Sequence, residues 1–288
     1  MKSISASLPL LSMLLLGSTS HAEAALEGPY LGQKPPGLTP EPFAPGIVTT
    51  DGFDDGGVFT PTMDEFYFIR KRPDNSKFET VIYKQQGNQW VETVSKEPRP
   101  FYPFFSPDGK TMHLGKKYRE RTDSGWSETK DLEAPFSEIA IMSLSASLHG
   151  TYAIDERHPE DEGVLRFSRL IGGKRAAPKP FNDSINSGTR NSHPFIAPDE
   201  SYVMWDGIKD GGFGDVDLYI SFRQQDGSWG EAINLGDKVN TDAYEAGPKV
   251  TPDGKYLFFV RNMGSDQFEN VDIFWVDAKI IETLRSTR

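Results

Sequence analysis

Two short apolar runs flank a Pro-Asp-Gly turn in the segment Val250-Thr251-Pro252-Asp253-Gly254-Lys255-Tyr256-Leu257-Phe258-Phe259. Proline fixes φ at the second turn position, aspartate accepts hydrogen bonds from the backbone that follows, and glycine takes the strained position. The apolar runs on either side have the pattern of strands that are buried in a sheet. The segment therefore predicts a buried β-hairpin.

The same pattern occurs four more times along the chain. Two clear copies are Phe105-Ser106-Pro107-Asp108-Gly109-Lys110-Thr111-Met112 and Ile196-Ala197-Pro198-Asp199-Glu200-Ser201-Tyr202-Val203-Met204-Trp205, and two degraded copies span Phe59–Phe68 and Ser145–Tyr152. The turns recur at intervals of 40 to 54 residues. A hairpin repeated at such a period is typical of a β-propeller, in which each copy forms one blade, a small sheet of about four strands.

We therefore predict an all-β fold, a single five-bladed β-propeller. The fifth copy has three predicted strands before a short C-terminal helix over Ala278–Arg285. We expect Phe43–Thr50, near the N-terminus, to supply its missing fourth strand, because closure removes open sheet edges. The predicted organisation is a signal peptide over 1–22, an extended lead-in over 23–42 and the propeller over 43–288.

The first residues predict export from the cytoplasm. Lys2 precedes the apolar stretch Leu8–Gly17, which is too short to span a bilayer, and Ser20-His21-Ala22 offers small residues at the positions that a signal peptidase reads. The chain has no cysteine, so it can form no disulfide and carries no lipidation cysteine. We predict a periplasmic or secreted protein that is not a lipoprotein.

The net charge of the chain limits the classes of partner that it can bind. The formal net charge is −11 at pH 7, and lysine and arginine do not concentrate in one stretch. Such a surface repels phosphate backbones and anionic membranes, so we expect neither nucleic acid binding nor membrane insertion. We expect a monomer that binds a glycan, a peptide or an envelope protein.

One family resembles this chain in specific residues. The Pro-Asp-Gly-Lys turns, the segment Gly214-Asp215-Val216-Asp217-Leu218-Tyr219 and the segment Asp226-Gly227-Ser228-Trp229-Gly230-Glu231 are similar to the WD40-like propeller repeats of the TolB type. The resemblance covers roughly Phe43–Val276 and departs from the pattern at Thr62 and at Ser147-Leu148-His149. It implies a periplasmic or secreted propeller and says little about activity.

The candidate binding site lies where the first strand of each copy begins, because propellers place these strands around a central channel. The loops before those strands carry a mixed set of charged, aromatic and histidine residues, in which Asp51, Asp55, Phe101, Asn191 and Tyr244 accompany the main candidates. Pockets in repeat folds favour the shared axis. The candidate ligand-binding residues are Asp54, Arg99, Tyr102, Glu138, Arg190, His193 and Glu245.

An alternative hypothesis makes the protein a carbohydrate-active enzyme. Glycoside hydrolases use an acid of raised pKa and a second carboxylate on the other side of the scissile bond. The candidate catalytic residues would be Asp54, Glu138 and Glu245, from three different copies. The sequence does not give the distances between them.

Other motifs favour structural roles. The segment Gly211–Asp217 contains an Asp-x-Asp pair but lacks the other ligands of a calcium loop, and we interpret its aspartates as turn caps. No metal or cofactor is predicted. The recurrence of Trp90, Trp126 and Trp229 at one place in the repeat indicates packing within blades. We also expect Gly254 to resist substitution more than Gly150 of the degraded third copy.

Overall fold

The computed structural model describes residues 26–71, 77–97, 99–157 and 163–286. The predicted signal peptide lies outside the described residues. The described chain is mostly β-strand, and each copy of the repeat forms its own antiparallel set of strands. The strands of the first two copies, with one strand that precedes them, are β1 Glu41–Pro42, β2 Phe53–Phe59, β3 Glu65–Lys71, β4 Glu79–Gln86, β5 Gln89–Val94, β6 Phe104–Phe105, β7 Thr111–Leu114, β8 Lys117–Thr122, β9 Gly125–Trp126 and β10 Lys130–Asp131.

The remaining three copies again form antiparallel strands in chain order, but the third adds a separate two-stranded hairpin and the fifth has three strands of its own. They contain β11 Leu144–Ala146, β12 Tyr152–Glu156, β13 Val164–Ser168, β14 Leu170–Ile171, β15 Lys174–Arg175, β16 Lys179–Pro180, β17 Thr189–Ile196, β18 Tyr202–Ile208, β19 Asp217–Phe222, β20 Ile233–Asn234, β21 Glu245–Val250, β22 Tyr256–Asn262 and β23 Val271–Asp277. Short helices are α1 Asp183–Asn186 and α2 Lys279–Ser286, with 3-10 turns at Pro29–Gly32 and Phe136–Glu138. The predicted C-terminal helix is therefore present within one residue of its expected bounds.

The five turns share two features, a closing backbone hydrogen bond and a residue with left-handed φ. In four copies, an N–H before the turn donates to the carbonyl five residues later at 2.8 to 3.0 Å, from Thr60 to Glu65, Ser106 to Thr111, Ala197 to Tyr202 and Thr251 to Tyr256. The turn of the third copy is one residue shorter, and there Ser147 donates to Thr151 at 2.9 Å. The residue three positions after each donor has φ between +61° and +76°, namely Met63, Gly109, Gly150, Glu200 and Gly254. The repeat read from the sequence is thus a repeat of structure, including both degraded copies.

The expectation that Gly150 tolerates substitution better than Gly254 is not supported. Both residues have the same left-handed φ, +76° and +75°. A Cβ on Gly150 would lie 3.1 Å from Cδ2 of Leu170, whereas one on Gly254 would have nothing within 4 Å. Both turns need a residue with left-handed φ, which favours glycine at each position. The additional contact with Leu170 makes Gly150 the more constrained of the two.

The first and fifth copies share one sheet. Strand β2 pairs in parallel with β23 at Phe53 and Val271, so the order of strands runs β21-β22-β23-β2-β3-β4-β5. Strand β1 lies antiparallel to β23, with Glu41 opposite Trp275. No sheet closes on itself within the described residues.

The strand expected over Phe43–Thr50 is wrong in position. Residues 43–50 form bends and turns, and the strand that pairs with the fifth copy is β1, just before them. The reason is that Phe43 turns inward, where its ring packs at 4.9 Å from Phe258 and 5.0 Å from Trp275. The lead-in before β1 is likewise not merely extended, since Tyr30 and Leu31 are buried in the same core cluster.

Candidate functional site

One pocket of about 260 Å³, called here the axial pocket, lies where the first strands of all five copies converge. Its wall is largely apolar and aromatic, built around Phe53, Phe104, Leu144, Phe195 and Phe268. Its polar lining consists of Asp55, Tyr102, His113, Ser143, Ser145, His193, Tyr244 and Lys249. An apolar cleft with a few converging polar groups is the usual form of a small-ligand site.

His193 is held by a buried carboxylate behind it. Its Nδ1 lies 2.9 Å from Oδ1 and 3.2 Å from Oδ2 of Asp206, which also accepts the Gly247 N–H at 2.8 Å. Burial lowers the pKa of His193, but Asp206, Asp155 and Asp55 outweigh it and raise this pKa to about 9. At neutral pH the ring is therefore an imidazolium whose Nε2–H remains to donate into the pocket.

The backbone at His193 is strained. Its φ is +48°, in the left-handed region that a residue with a Cβ adopts only at a cost, and the pairing of β17 with β18 is irregular on both sides of Ser192. The His193 N–H donates to Oδ2 of Asp155 at 3.2 Å, while Oδ1 of Asp155 accepts from the backbone of Met142 and Ser143. Asp155 thus joins the third and fourth copies and fixes the position of His193.

Tyr102 and Asp55 form a second polar pair at the mouth. The Tyr102 hydroxyl donates to Oδ2 of Asp55 at 2.8 Å, and the residue is 52% exposed. Burial of the hydroxyl and the charge of Asp55 raise the pKa of Tyr102, so it stays a donor. The ring lies against Gly56, which has φ +88° and where a Cβ would come within 2.8 Å of Cδ1 of Tyr102. Glycine at this position lets the tyrosine cover the pocket.

Lys249 occupies the inner end of the pocket. Its Nζ donates to the Gly56 carbonyl at 2.8 Å, and burial lowers its pKa despite the nearby carboxylates of Asp55 and Asp206. Within the described ranges no carboxylate lies within 4 Å of this ammonium group. Its charge is therefore balanced only at longer range.

His113 lines the same pocket and is 2% exposed. Its Nδ1 is buried and has no hydrogen-bond partner among the described residues. Burial and the charge of Arg175 lower the pKa of His113 to about 3, so the ring is neutral. A neutral imidazole nitrogen without a partner is a costly feature of a protein interior unless a ligand or water satisfies it.

A second cavity of about 760 Å³ lies at the other end of the same strands. Pro61, Pro107, Leu148, Pro198 and Pro252 of the five turns line it, together with residues of α2. Phe104, Phe195 and Lys249 line both cavities. These three side chains therefore separate the axial pocket from the second cavity.

Two of the predicted site residues, Tyr102 and His193, lie in the axial pocket, but Asp54 does not. Asp54 is fully buried beside the pocket wall, with Oδ1 3.0 Å from Nε of Arg70, and its Oδ2 accepts from the backbone N–H and the hydroxyl of Thr50. Burial raises the pKa of Asp54, against the opposing effect of Thr50 and Arg70.

Glu245 has the same environment in the fifth copy. Its Oε1 lies 2.7 Å from Nε of Arg261, and it accepts from the N–H and the hydroxyl of Thr241. In both copies the arginine follows the acid by sixteen positions and the threonine precedes it by four. These two predicted site residues thus form repeated, buried ion pairs and do not line the axial pocket.

The other three predicted residues lie outside the pocket. Arg99 and Glu138 are exposed and line neither cavity. Arg190 is also exposed, with Nη1 3.6 Å from Oδ1 of Asp215 and its guanidinium 5.8 Å from the ring centroid of Tyr244. It reaches the pocket only through that tyrosine.

Sequence reasoning missed four polar residues of this region. Lys249 lies in an inner strand, while His113, Asp155 and Asp206 lie in second strands, among apolar neighbours. The available signal was a charged or histidine side chain inside an otherwise apolar run, which a buried strand carries only when it has a partner or a function.

The aspartate and tryptophan motifs for which we predicted structural roles make turn-capping and packing contacts. Asp217 accepts the N–H groups of Phe213 and Gly214 at 2.7 and 3.3 Å, as a turn cap does. Trp90 is buried and donates to the Gly28 carbonyl, and Trp229 packs against Phe181. Among the residues that the structure describes, no group of three or more histidine, aspartate or glutamate residues could hold a metal ion.

Comparisons with known proteins show the fold class. No protein-family model matches the sequence, and no curated protein matches it either. The catalytic domain of a GH62 α-L-arabinofuranosidase from Coprinopsis cinerea is 9% identical over 84% of this chain and 97% of that one, with a TM-score of 0.51. A thermostable family-43 glycoside hydrolase is 13% identical over 79% of this chain and 90% of its own, with a TM-score of 0.46.

TolB from Acinetobacter baumannii is 12% identical over 77% of this chain, with a TM-score of 0.45. This chain spans 54% of that TolB chain. At these identities the likeness concerns the fold alone, and the fold is of the propeller type. Within the described part of the chain, no helix is long and apolar enough to cross a bilayer.

Proposed function

We propose that this chain is an exported five-bladed propeller that binds a small polar ligand in its axial pocket. Five first strands, β2, β6, β11, β17 and β21, contribute to that one pocket, which supports five blades around an axis. The pairing of β1 with β23 supports closure by the N-terminal segment, because it adds an outer strand to the fifth copy. Export rests on the signal-like residues before Glu23.

The observation that carries the binding proposal is the content of the axial pocket. Positively charged, negatively charged and hydroxyl groups line one pocket whose wall is largely aromatic. They belong to His193, Lys249, Asp55 and Tyr102. Each of the first three has a fixed protein partner, so the site is formed before a ligand arrives. Such preorganisation lowers the entropic cost of binding. At about 260 Å³ the pocket suits a ligand of monosaccharide or dipeptide size.

The arrangement of carboxylates supports binding over glycoside hydrolysis. A hydrolase needs two carboxyl groups that flank the bond, about 5 Å or 6.5–9.5 Å apart. Asp54 and Glu245 are fully buried in ion pairs, and Glu138 is outside the pocket. Of the described carboxylates, Asp55 lines the axial pocket, and Asp206 is covered by His193.

A ligand screen tests this proposal. The purified protein is titrated with neutral and acidic monosaccharides, arabinose- and xylose-containing oligosaccharides, peptidoglycan fragments and short peptides, with binding followed by calorimetry and turnover by chromatography. Tyr102→Phe removes the hydroxyl that bonds Asp55 and is expected to weaken binding about tenfold. Tyr118→Phe, a tyrosine outside both cavities, serves as the matched control.

Two outcomes contradict the proposal. If bound ligands are indifferent to Tyr102→Phe but respond to changes at the outer edge near Trp90, the axial pocket is not the site. If a glycan is cleaved and Asp55→Asn stops cleavage while binding persists, the protein is a hydrolase with a carboxylate arrangement other than the one predicted.

A further inference from the structure

We propose that the ligand of the axial pocket carries a carboxylate group, which lies between the ammonium group of Lys249 and the Nε2 of His193. This inference rests on the proposed binding function and names the chemical class of its ligand. The geometry that carries it is a set of three donors in one pocket, on Lys249, His193 and His113, that have capacity beyond their protein partners.

The carboxylate that lines the pocket among the described residues is that of Asp55. Asp55 is bonded to Tyr102, which is half exposed and therefore lies at the entrance. An approaching ligand meets this carboxylate first, and a hydroxyl or ammonium group of the ligand can donate to its second oxygen. The anionic part of the ligand must lie elsewhere, because like charges at contact distance repel.

Lys249 supplies a positive charge at the inner end of the pocket. Lys249 lines the axial pocket and also the second cavity, so it lies at the boundary between them. Its one protein acceptor is the Gly56 carbonyl, which leaves two of its three donors unused by the described residues. A partly buried lysine without a carboxylate in contact is stabilised by an anion that reaches it.

His193 adds a second donor to the same pocket. Asp206 occupies Nδ1 and keeps the ring charged, so Nε2 carries a proton for an acceptor in the pocket. The strained φ of His193 aims this ring and is maintained by Asp155 and the bulge in β17. Backbone strain of this kind is characteristic of residues whose position matters for function.

His113 supplies an independent indication that the pocket accepts a ligand. It is almost fully buried, it lines the axial pocket, and its Nδ1 has no partner in the described structure. Because this ring is neutral, it can donate to a carboxylate or a hydroxyl without bringing another charge. Two cationic donors and one neutral imidazole together match a carboxylate better than an uncharged group.

The test compares acids with neutral analogues of the same shape on the intact protein. D-glucuronate is titrated against D-glucose, and N-acetyl-Ala-Ala against its C-terminal amide, so that an acidic sugar and a peptide terminus are separate arms. At least one acid is expected to bind ten or more times more tightly than its neutral analogue. Lys249→Met is expected to reduce that preference below threefold.

Lys110→Met is the matched control, because it removes the same charge at an exposed turn outside both cavities. If Lys249→Met unfolds the protein, the comparison of acid with neutral analogue in the wild-type chain still decides the matter. Neutral analogues that bind as tightly as the acids would overturn the carboxylate inference and leave the binding function standing. Failure of both acids to bind at 50 mM, while another ligand of the screen binds, would overturn it as well.

Discussion

Replacing Glu245 by alanine should destabilise the protein severely. The carboxylate is fully buried, and its loss leaves the Arg261 guanidinium without its ion pair and two Thr241 donors without an acceptor. Removing one partner of a buried pair costs about 3–5 kcal/mol, because the other charge remains uncompensated. That cost is a large part of the 5–15 kcal/mol that stabilises a typical domain.

The measurement is thermal unfolding followed by circular dichroism. At about 2–4 °C per kcal/mol for a large domain, Glu245→Ala should lower the Tm by roughly 6–20 °C. Asp215→Ala is the matched control, since it breaks an exposed pair with Arg190 at 3.6 Å and should cost less than about 1 kcal/mol.

A companion variant separates the two roles considered for Glu245. Replacing the pair together, as Glu245→Leu with Arg261→Met, should recover much of the lost stability, because no buried charge then remains unpaired. If Glu245→Ala melts within about 2 °C of the wild type and instead abolishes ligand binding, the structural assignment of this carboxylate is refuted.

Three further expectations follow from the same structure. The raised pKa of His193, about 9 against an ordinary 6.5, means that its stabilisation is complete below pH 6.5 and is lost as pH rises through about 9. The difference in unfolding free energy between the wild type and His193→Asn should therefore shrink over that window, and a constant difference would contradict the ion pair. Gly150→Ala and Gly254→Ala should each cost about 1–2 kcal/mol in urea unfolding, Gly150 more because of Leu170. Phe43→Ala should cost about 3–5 kcal/mol, since its fully buried ring joins the N-terminal segment to the fifth copy; a neutral result would show that this segment does not stabilise the fold.

The predicted propeller and the comparison at a TM-score of 0.51 agree on the fold class. The agreement has a local cause, because a Pro-Asp-Gly turn between apolar runs dictates its own hydrogen bonds. Even the degraded turn at Ser147 is closed by a backbone bond, to Thr151, although it is one residue shorter than the others. The position of the N-terminal strand that pairs with the fifth copy could not be predicted from the neighbouring sequence. It depends on the packing of the Phe43 ring between strands of the first and fifth copies.

The sequence by itself determined the repeated hairpins, the terminal helix and the region in which polar residues gather. Only the tertiary structure decided which of those residues face the axis. Successive side chains of a strand point to opposite faces, so Asp54 is paired inside its sheet while its neighbour Asp55 lines the pocket. Likewise, Lys249 and Asp206 are 43 positions apart, and packing of the fourth against the fifth copy brings Lys249 within electrostatic range of Asp206, which holds His193. Neighbouring residues of one strand therefore have different roles, Asp54 in an ion pair and Asp55 in the pocket lining. Which of them faces the pocket depends on the strand register, and packing between strands that are distant in sequence sets that register.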